Sequence, residues 1–248
     1  MSLLLEVCSA SPESAIAAEA GGANRVELCD NLLEGGTTPS AGTVALCLKR
    51  VTLDVLMMIR PRGGDFLYTD IEYDIMLRDI EVAKSLGVCG VVFGLLTPAG
   101  KVDKARTGRL IEASRPLTVT FHRAFDMTAD PFEALEDLVE LGVDRILTSG
   151  QEPSAERGIP LLKNLVKAAQ GRTVILPGCG INENNIAEIV ARTGVHECHV
   201  SGKHQIPSRM TYTKPKVCMG VPGAREYERT VVDPNRIRAL RAAIDRWE

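Results

Sequence analysis

Short apolar runs alternate along the chain with longer segments in which apolar residues recur every three or four positions. The first run, LLLEVCSA, precedes the segment SPESAIAAEAGG. In that segment Ser11 can cap a helix, Pro12 suits its first position, and Gly21 with Gly22 can end it. The pattern therefore predicts one strand followed by one helix.

The same alternation continues to the end of the chain. Helices are predicted from Pro39 to about Arg50, from about Asp70 to Leu86 and from about Asp103 to Ser114, each after a short apolar run. Four further runs, LTVTFHRAFD, DRILTSG, TVILPGCG and HECHVSG, each precede another helical pattern. Eight such units in 248 residues, without a linker rich in Pro, Gly or Ser, predict an α/β fold, a (β/α)8 TIM-type barrel.

This barrel is expected to form a single domain over residues 1–248. A doubly wound open sheet is the alternative, but no phosphate-binding glycine fingerprint follows the first strand. The stretch from about residue 202 to 232 has no regular pattern, and we expect an irregular loop there before the last helix.

Composition narrows the class of ligand. The net charge is −3 and the basic residues are scattered, which argues against nucleic acid and against a charged membrane surface as partners. No apolar run is long enough to span a bilayer, and the N-terminus lacks the pattern of a signal peptide, so a cytoplasmic location is expected. The seven cysteines are widely spaced and contain no CxxC, which indicates free thiols.

An acid and a thiol recur two residues apart on the first two predicted strands. Glu6 and Cys8 share one face of the first strand, and Glu27 and Cys29 share one face of the second. Charged side chains fit poorly against the outer helices, so both pairs should point into the barrel. Because adjacent strands lie about 4.8 Å apart, Cys8 and Cys29 could share one soft metal ion.

Two interpretations of these thiols stay open on spacing alone. Free cysteine often packs as a small apolar residue, so the pair could be structural. If the pair binds metal, Cu(I) suits it better than zinc does, because zinc normally takes four ligands with tight local spacing.

Two arginines follow the third predicted strand, in the run MMIRPRGGDF. Arg60 and Arg62 are expected to share one face, where they could form buried ion pairs with Glu6 and Glu27. Alternatively, the two guanidinium groups could bind the carboxylate or phosphate oxygens of a ligand.

Later strands add candidates for catalysis and anion binding. His122 could act as an acid or base, with Asp126 or Glu27 as its partner. Glycine-rich turns after strands 7 and 8 resemble the phosphate sites of many barrels. The residues predicted to form this anion site are Gly178, Gly180, Ser201 and Lys203, together with Arg60, Arg62 and Glu6.

The motifs LEVC, VELC, EGGTTPS, IRPRGGDFLYTD, VTFHRAFD and RILTSG occur in this order, and together they resemble the CutC copper-homeostasis family. The resemblance runs from about residue 3 to 201. It implies a (β/α)8 barrel, a cytoplasmic location, self-association as a dimer or tetramer, and a role in copper handling. It also implies Cu(I) ligation by Cys8 and Cys29. Relatives typically have an all-small turn after strand 7, where this chain has Cys179.

Two functions follow as hypotheses. The first is a cytosolic Cu(I)-binding protein with Cys8 and Cys29 as ligands. The alternative is an enzyme of lyase or isomerase type that acts on a small anionic, possibly phosphorylated, substrate, with His122, Asp126 and Glu27 as catalytic residues.

Overall fold

The computed structural model describes residues 3–214, 216–217, 219 and 226–245. Eight parallel strands form one sheet in the order β7-β6-β5-β4-β3-β2-β1-β8, and the two end strands, β7 and β8, contact each other. The sheet is therefore nearly closed, and the prediction of a (β/α)8 barrel is confirmed. Cys218, one of the predicted free thiols, lies outside the described residues.

The strands of the barrel are β1 Leu4–Ser9, β2 Arg25–Leu28, β3 Asp54–Met58, β4 Gly90–Phe93, β5 Thr118–Phe121, β6 Arg145–Thr148, β7 Val174–Pro177 and β8 Glu197–Val200. The helices are α1 Pro12–Ala20, α2 Ala41–Leu48, α3 Asp70–Leu86, α4 Lys104–Ser114, α5 Pro131–Glu140, α6 Ile159–Ala169, α7 Ile186–Thr193 and α8 Pro234–Asp245. Among the described residues, no helix is both long enough and apolar enough to cross a bilayer.

Side-chain caps explain where the helices begin. The Ser11 hydroxyl accepts a hydrogen bond from the Ser14 N–H, and α1 begins at Pro12 as predicted. The prediction for α2 was two residues too long at each end. The Ser40 hydroxyl accepts from the Thr43 N–H, so Ser40 is the capping residue and Pro39 lies before the helix.

The prediction of an irregular loop over residues 202–232 was wrong in part. Two antiparallel strands, β9 Lys203–Pro207 and β10 Glu228–Val232, form a separate two-stranded sheet there. The Val232 N–H donates to the Ser14 hydroxyl, and β10 contacts α1. The hairpin is thus held against α1 of the barrel. This contact joins distant parts of the chain, so local sequence patterns do not predict it.

The barrel interior contains charged side chains at the N-terminal ends of its strands. The Arg25 guanidinium donates from Nε to Glu6 Oε2 at 2.5 Å and from Nη2 to Glu197 Oε2 at 2.6 Å. Arg145 Nε donates to the same oxygen of Glu197 at 2.8 Å. We call Glu6, Arg25, Arg145 and Glu197 the floor network. Its two carboxylates and two guanidinium groups balance in charge, which makes their burial tolerable.

The predicted ion pairs of Glu6 and Glu27 with Arg60 and Arg62 were wrong. Glu6 lies directly opposite Arg25 in the β1–β2 register, so the partner of its carboxylate comes from the neighbouring strand. Strand β3 ends at Met58. Arg60 and Arg62 therefore lie beyond the strand, where side chains no longer alternate between two faces.

Replacing Arg25 by Gln is expected to lower the free energy of unfolding by about 3–5 kcal/mol, because Glu6 and Glu197 would lose the cation that they share. Urea unfolding at neutral pH measures the loss. Arg78→Gln is the control, because it removes an exposed ion pair with Glu81 on α3 and should barely change the unfolding midpoint. Equal effects of the two substitutions would contradict a stabilising floor network.

Candidate functional site

A cavity of about 450 Å³ lies at the C-terminal ends of the strands, where (β/α)8 barrels carry their chemistry. Its walls combine apolar side chains with a few polar groups. The polar and charged residues at its wall include Cys8, Glu27, Arg60, His122, Arg123, Asp126, His199 and Lys203. The apolar part includes Leu32, Met58, Phe66, Leu147 and Ile181. This mixture is typical of a site for a small ligand.

The structure brings Cys8 and Cys29 together. Their Sγ atoms lie 3.7 Å apart, and Cys29 Sγ also lies 3.7 Å from the Ser9 carbonyl oxygen. Cys8 borders the cavity, whereas Cys29 is buried behind it, in a small apolar cluster with Met58 and Val92. Of the two thiols, Cys8 therefore borders the cavity and Cys29 lies in the apolar core.

His199 completes this corner of the cavity. One ligand atom each from Cys8, Glu27 and His199 lie within 4.8 Å of one another. His199 Nδ1 donates to Glu6 Oε1 at 2.7 Å, and its Nε2 lies 3.9 Å from Glu27 Oε2. Glu6 itself does not line the cavity; it orients His199 from the floor network. We call Cys8, Glu27, Cys29 and His199 the thiol corner.

Alternation along β8 allows only one of Cys198 and His199 to face the interior. Cys198 is buried in the main core, between barrel and helices, and His199 faces inward. The signal that could have decided this was Glu197, a charged residue one position before Cys198 and therefore on the face of His199. A charge on β8 has its ion-pair partners only inside the barrel.

Burial and neighbouring charges set the protonation of the thiol corner. Burial raises the pKa of Glu27 to about 8, although the His199 charge opposes this rise. Burial alone would raise the pKa of Glu6, but hydrogen bonding from His199 and the charge of Arg25 bring it down to about 2. At neutral pH, therefore, Glu6 is ionised and Glu27 carries a proton.

The imidazole and the thiol respond to the same neighbours. Burial lowers the pKa of His199, but Glu27, Cys8 and Glu6 together raise it well above its ordinary value. The hydrogen bond with Cys29, and then burial, raise the pKa of Cys8 well above its usual range. With Glu27 protonated, the hydrogen bond to the ionised Glu6 favours an imidazolium at His199, beside a protonated Cys8 thiol.

Arg60 and Arg62 do not act as a pair. Arg60 is 5% exposed, borders the cavity and donates to the backbone carbonyls of Glu34, Gly36 and Gly64. Arg62 lies outside the cavity-lining set, and Asp65 and Glu72 are its ion-pair partners. The prediction of a two-arginine clamp was therefore wrong for Arg62, whose guanidinium holds the loop before α3.

The predicted partnership of His122 with Asp126 was also wrong. His122 Nδ1 accepts a hydrogen bond from the Ala124 N–H, which fixes the ring without a carboxylate. Asp126 accepts instead from Arg123 Nε, from the Thr148 hydroxyl and from the Ser149 N–H. Its oxygens are thus occupied in holding the loop after β6.

The glycine-rich turns only partly resemble a phosphate site. The Gly178 N–H donates to the Thr148 carbonyl, and a Cβ at this position would lie 2.6 Å from Leu147 Cδ1. Gly178 therefore serves packing, and its predicted role as an anion donor was wrong. Gly180, Ser201 and Lys203 do border the cavity, so their role in binding an anion stays a prediction.

Comparison with known proteins gives one consistent family. The profile of the CutC family matches residues 3–204. The chain is 52% identical over 242 residues to the family protein CutC of Parabacteroides distasonis. The aligned region covers 96% of this chain and 99% of that protein. It is 49% identical over 240 residues to the mouse copper homeostasis protein cutC homolog, covering 96% and 88%. The crystal structure of CutC from Streptococcus agalactiae has a TM-score of 0.76 at 36% identity, covering 80% of this chain and 98% of that one.

The metal-free protein is expected to lose stability as the pH rises from about 5 to about 8. In this interval the folded state keeps a proton on Glu27, whose pKa shifts from 4.5 to about 8, and the unfolded chain has released it. The free energy of unfolding then falls with pH, by up to about 1.4 kcal/mol per pH unit for one proton. The raised pKa of His199 acts in the same direction.

Urea unfolding between these pH values tests this, with Glu27→Gln as the matched variant. Glutamine keeps the shape of the side chain and cannot ionise, so the decline should become shallower. A wild-type stability that rises over the interval, or an unchanged slope in the variant, would contradict the assignment.

Proposed function

The chain belongs to the CutC family, and from this premise we propose that it serves copper homeostasis in the cytoplasm by binding one Cu(I) ion between Cys8 and Cys29. The observation that carries the proposal is the 3.7 Å separation of the two Sγ atoms at the wall of the cavity. In this proposal copper is the ion that the protein carries, not a permanently bound cofactor. Mouse and bacterial relatives bear names that refer to copper homeostasis or to CutC.

The donor set of the thiol corner suits Cu(I). Soft thiolates favour Cu(I) over hard cations, and a Cu(I) site needs few ligands. The apolar cluster around Cys29 would keep water from the ion on one side. A cavity on the Cys8 side would leave a path by which the ion enters and leaves.

Zinc is the competing metal, because His199 and Glu27 bring the corner to four donor residues. Two features argue against zinc. Glu27 carries a proton at neutral pH because burial raises its pKa to about 8. His199 hydrogen-bonds Glu6 through Nδ1, and its raised pKa adds a second proton that a zinc ion would have to displace, whereas Cu(I) held by two thiolates needs neither Glu27 nor His199.

Anaerobic titration against a chromophoric Cu(I) chelator tests the thiol pair. The wild type is expected to retain one Cu(I) per chain, and Cys8→Ser or Cys29→Ser should weaken the affinity by at least about 100-fold, since even outer-shell changes cost 10–100-fold. Cys89→Ser is the matched control, because Cys89 is exposed and contacts Asp54 at the opposite end of the barrel.

A second control, Cys179→Ser, asks whether a third thiol takes part. Cys179 borders the cavity, but its Sγ donates to the Pro153 carbonyl, and we expect no loss of affinity. Equal affinities of the wild type and both corner variants, or a preference for Zn(II) that the same variants abolish, would refute Cu(I) as the cargo.

Cu(I) binding should release protons. A thiol binds metal as thiolate, and the Cys8 thiol is protonated at neutral pH because its pKa is raised by the hydrogen bond with Cys29 and by burial. The affinity should therefore rise about tenfold per pH unit for each proton displaced. Titrations at several pH values, corrected for the chelator, measure the slope, and an affinity independent of pH would mean that no thiol is deprotonated.

Self-association as a dimer or tetramer stays a prediction, and so does the single domain over residues 1–248. The enzyme alternative has lost its predicted pairing of His122 with Asp126. Of the residues predicted for the enzyme, Arg60 and His122 are buried and border the cavity.

A further inference from the structure

Arg60 is a buried cation whose contacts include no carboxylate among the described residues. The other fully buried arginine, Arg25, lies between Glu6 and Glu197. Arg60 donates to three carbonyl oxygens, and its Cζ lies 5.1 Å from the centroid of the Phe66 ring. It also interacts with the buried Tyr68 hydroxyl. A buried guanidinium normally has an anionic partner, because carbonyl dipoles and an aromatic face stabilise a full charge less well.

Glu34 offers only its backbone to this arginine. Its carbonyl oxygen accepts from Arg60 Nη1 at 2.7 Å, and its carboxylate forms no ion pair with Arg60. The remaining acid beside the cavity on this side, Asp126, is occupied by Arg123 and the loop after β6. No described carboxylate is therefore placed to neutralise Arg60.

Three of the five guanidinium N–H groups of Arg60 have carbonyl partners. Nη1 donates to two carbonyls, Nη2 donates to one, and the buried Nε has no hydrogen-bond partner in the described part of the chain. Nε and Nη2 together form the edge of a guanidinium that binds a carboxylate through two parallel hydrogen bonds.

His122 supplies a further donor beside Arg60. Its Nδ1 accepts from the Ala124 N–H, so the proton of the neutral ring is on Nε2, and this buried Nε2 has no partner in the described residues. The ring centroid of His122 lies 5.0 Å from that of Phe66, the ring that Arg60 also contacts. Burial and the Arg60 charge lower the pKa of His122 to about 3, so the histidine donates without adding charge.

The cavity wall also carries apolar side chains. Leu147, Met127 and Ile181 border it, together with Phe66. A ligand whose single charge matches Arg60 and whose remainder is apolar would therefore complement both parts of the wall.

We propose that this cavity binds a small organic monocarboxylate, with the carboxylate held by Arg60 and His122 and the apolar part of the molecule against Leu147 and Ile181. The thiol corner is not needed for this site, and the proposal goes beyond copper binding.

The test uses the copper-free full chain under anaerobic conditions, with butyrate as the probe and its neutral analogue butyramide as the matched control. Two readouts are recorded: the imidazole ¹⁵N resonances and the thermal unfolding midpoint. Butyrate is expected to shift the resonance of His122 and to raise the midpoint with concentration, and butyramide is expected to do neither.

Variants separate the site from a general effect of anions. Arg60→Gln should weaken butyrate binding about tenfold or more, as expected for the loss of a charge-assisted hydrogen bond. Arg78→Gln makes the same substitution at an exposed arginine on α3 that does not border the cavity, and its affinity should match the wild type. His122→Phe keeps a ring beside Phe66 and removes the donor. It should also weaken butyrate binding, and it serves as the test if Arg60→Gln does not fold.

Equal responses to butyrate and butyramide, or equal losses in Arg60→Gln and Arg78→Gln, would overturn the proposal. Binding of inorganic phosphate without binding of butyrate would overturn the carboxylate assignment. Because no copper is present, a negative result would leave the Cu(I) titration of Cys8 and Cys29 unaffected, and a failed copper titration would leave this site standing.

Discussion

The ion pairs of Arg25 are the constraint on which the interior of this barrel depends. Glu6 and Glu197 are carboxylates inside a closed sheet, and a guanidinium between them is what makes their ionised forms tolerable there. Arg145 adds a second cation on Glu197. With the floor network neutral, the barrel can carry an ionised Glu6 at its centre without a solvent-filled interior.

That ionised carboxylate determines the chemistry above it. Glu6 accepts the Nδ1 proton of His199, so the imidazole is held in one orientation, with Nε2 toward Glu27 and close to Cys8. The order of influence runs from Arg25 through Glu6 to His199, and then to the thiol corner. A change at the floor would therefore alter the protonation of groups that border the cavity, although the floor itself does not line it.

Local alternation located several important groups from the sequence. A period of two is a property of one strand, so it placed Glu6 with Cys8, and Glu27 with Cys29, without knowledge of neighbours. Caps were equally local, as Ser11 and Pro12 illustrate. The eight repeated units then sufficed to predict a barrel, which the strand order confirms.

Partners could not be predicted in the same way, because they depend on register and on strand ends. The contact between Arg25 and Glu197 joins residues 172 positions apart. Arg60 and Arg62 were misassigned because alternation was extended past Met58, where β3 ends. His122 and Asp126 are close in sequence, but a backbone N–H satisfied the histidine first, and no pattern of residue types records such a bond.

The floor network has a consequence for where ligands can bind in the barrel. The charged groups at one end of the barrel are paired and buried, and the cavity lies at the other end. An ion at the thiol corner and an organic acid at Arg60 would lie in the same cavity. Binding of one occupant would then change the affinity of the protein for the other.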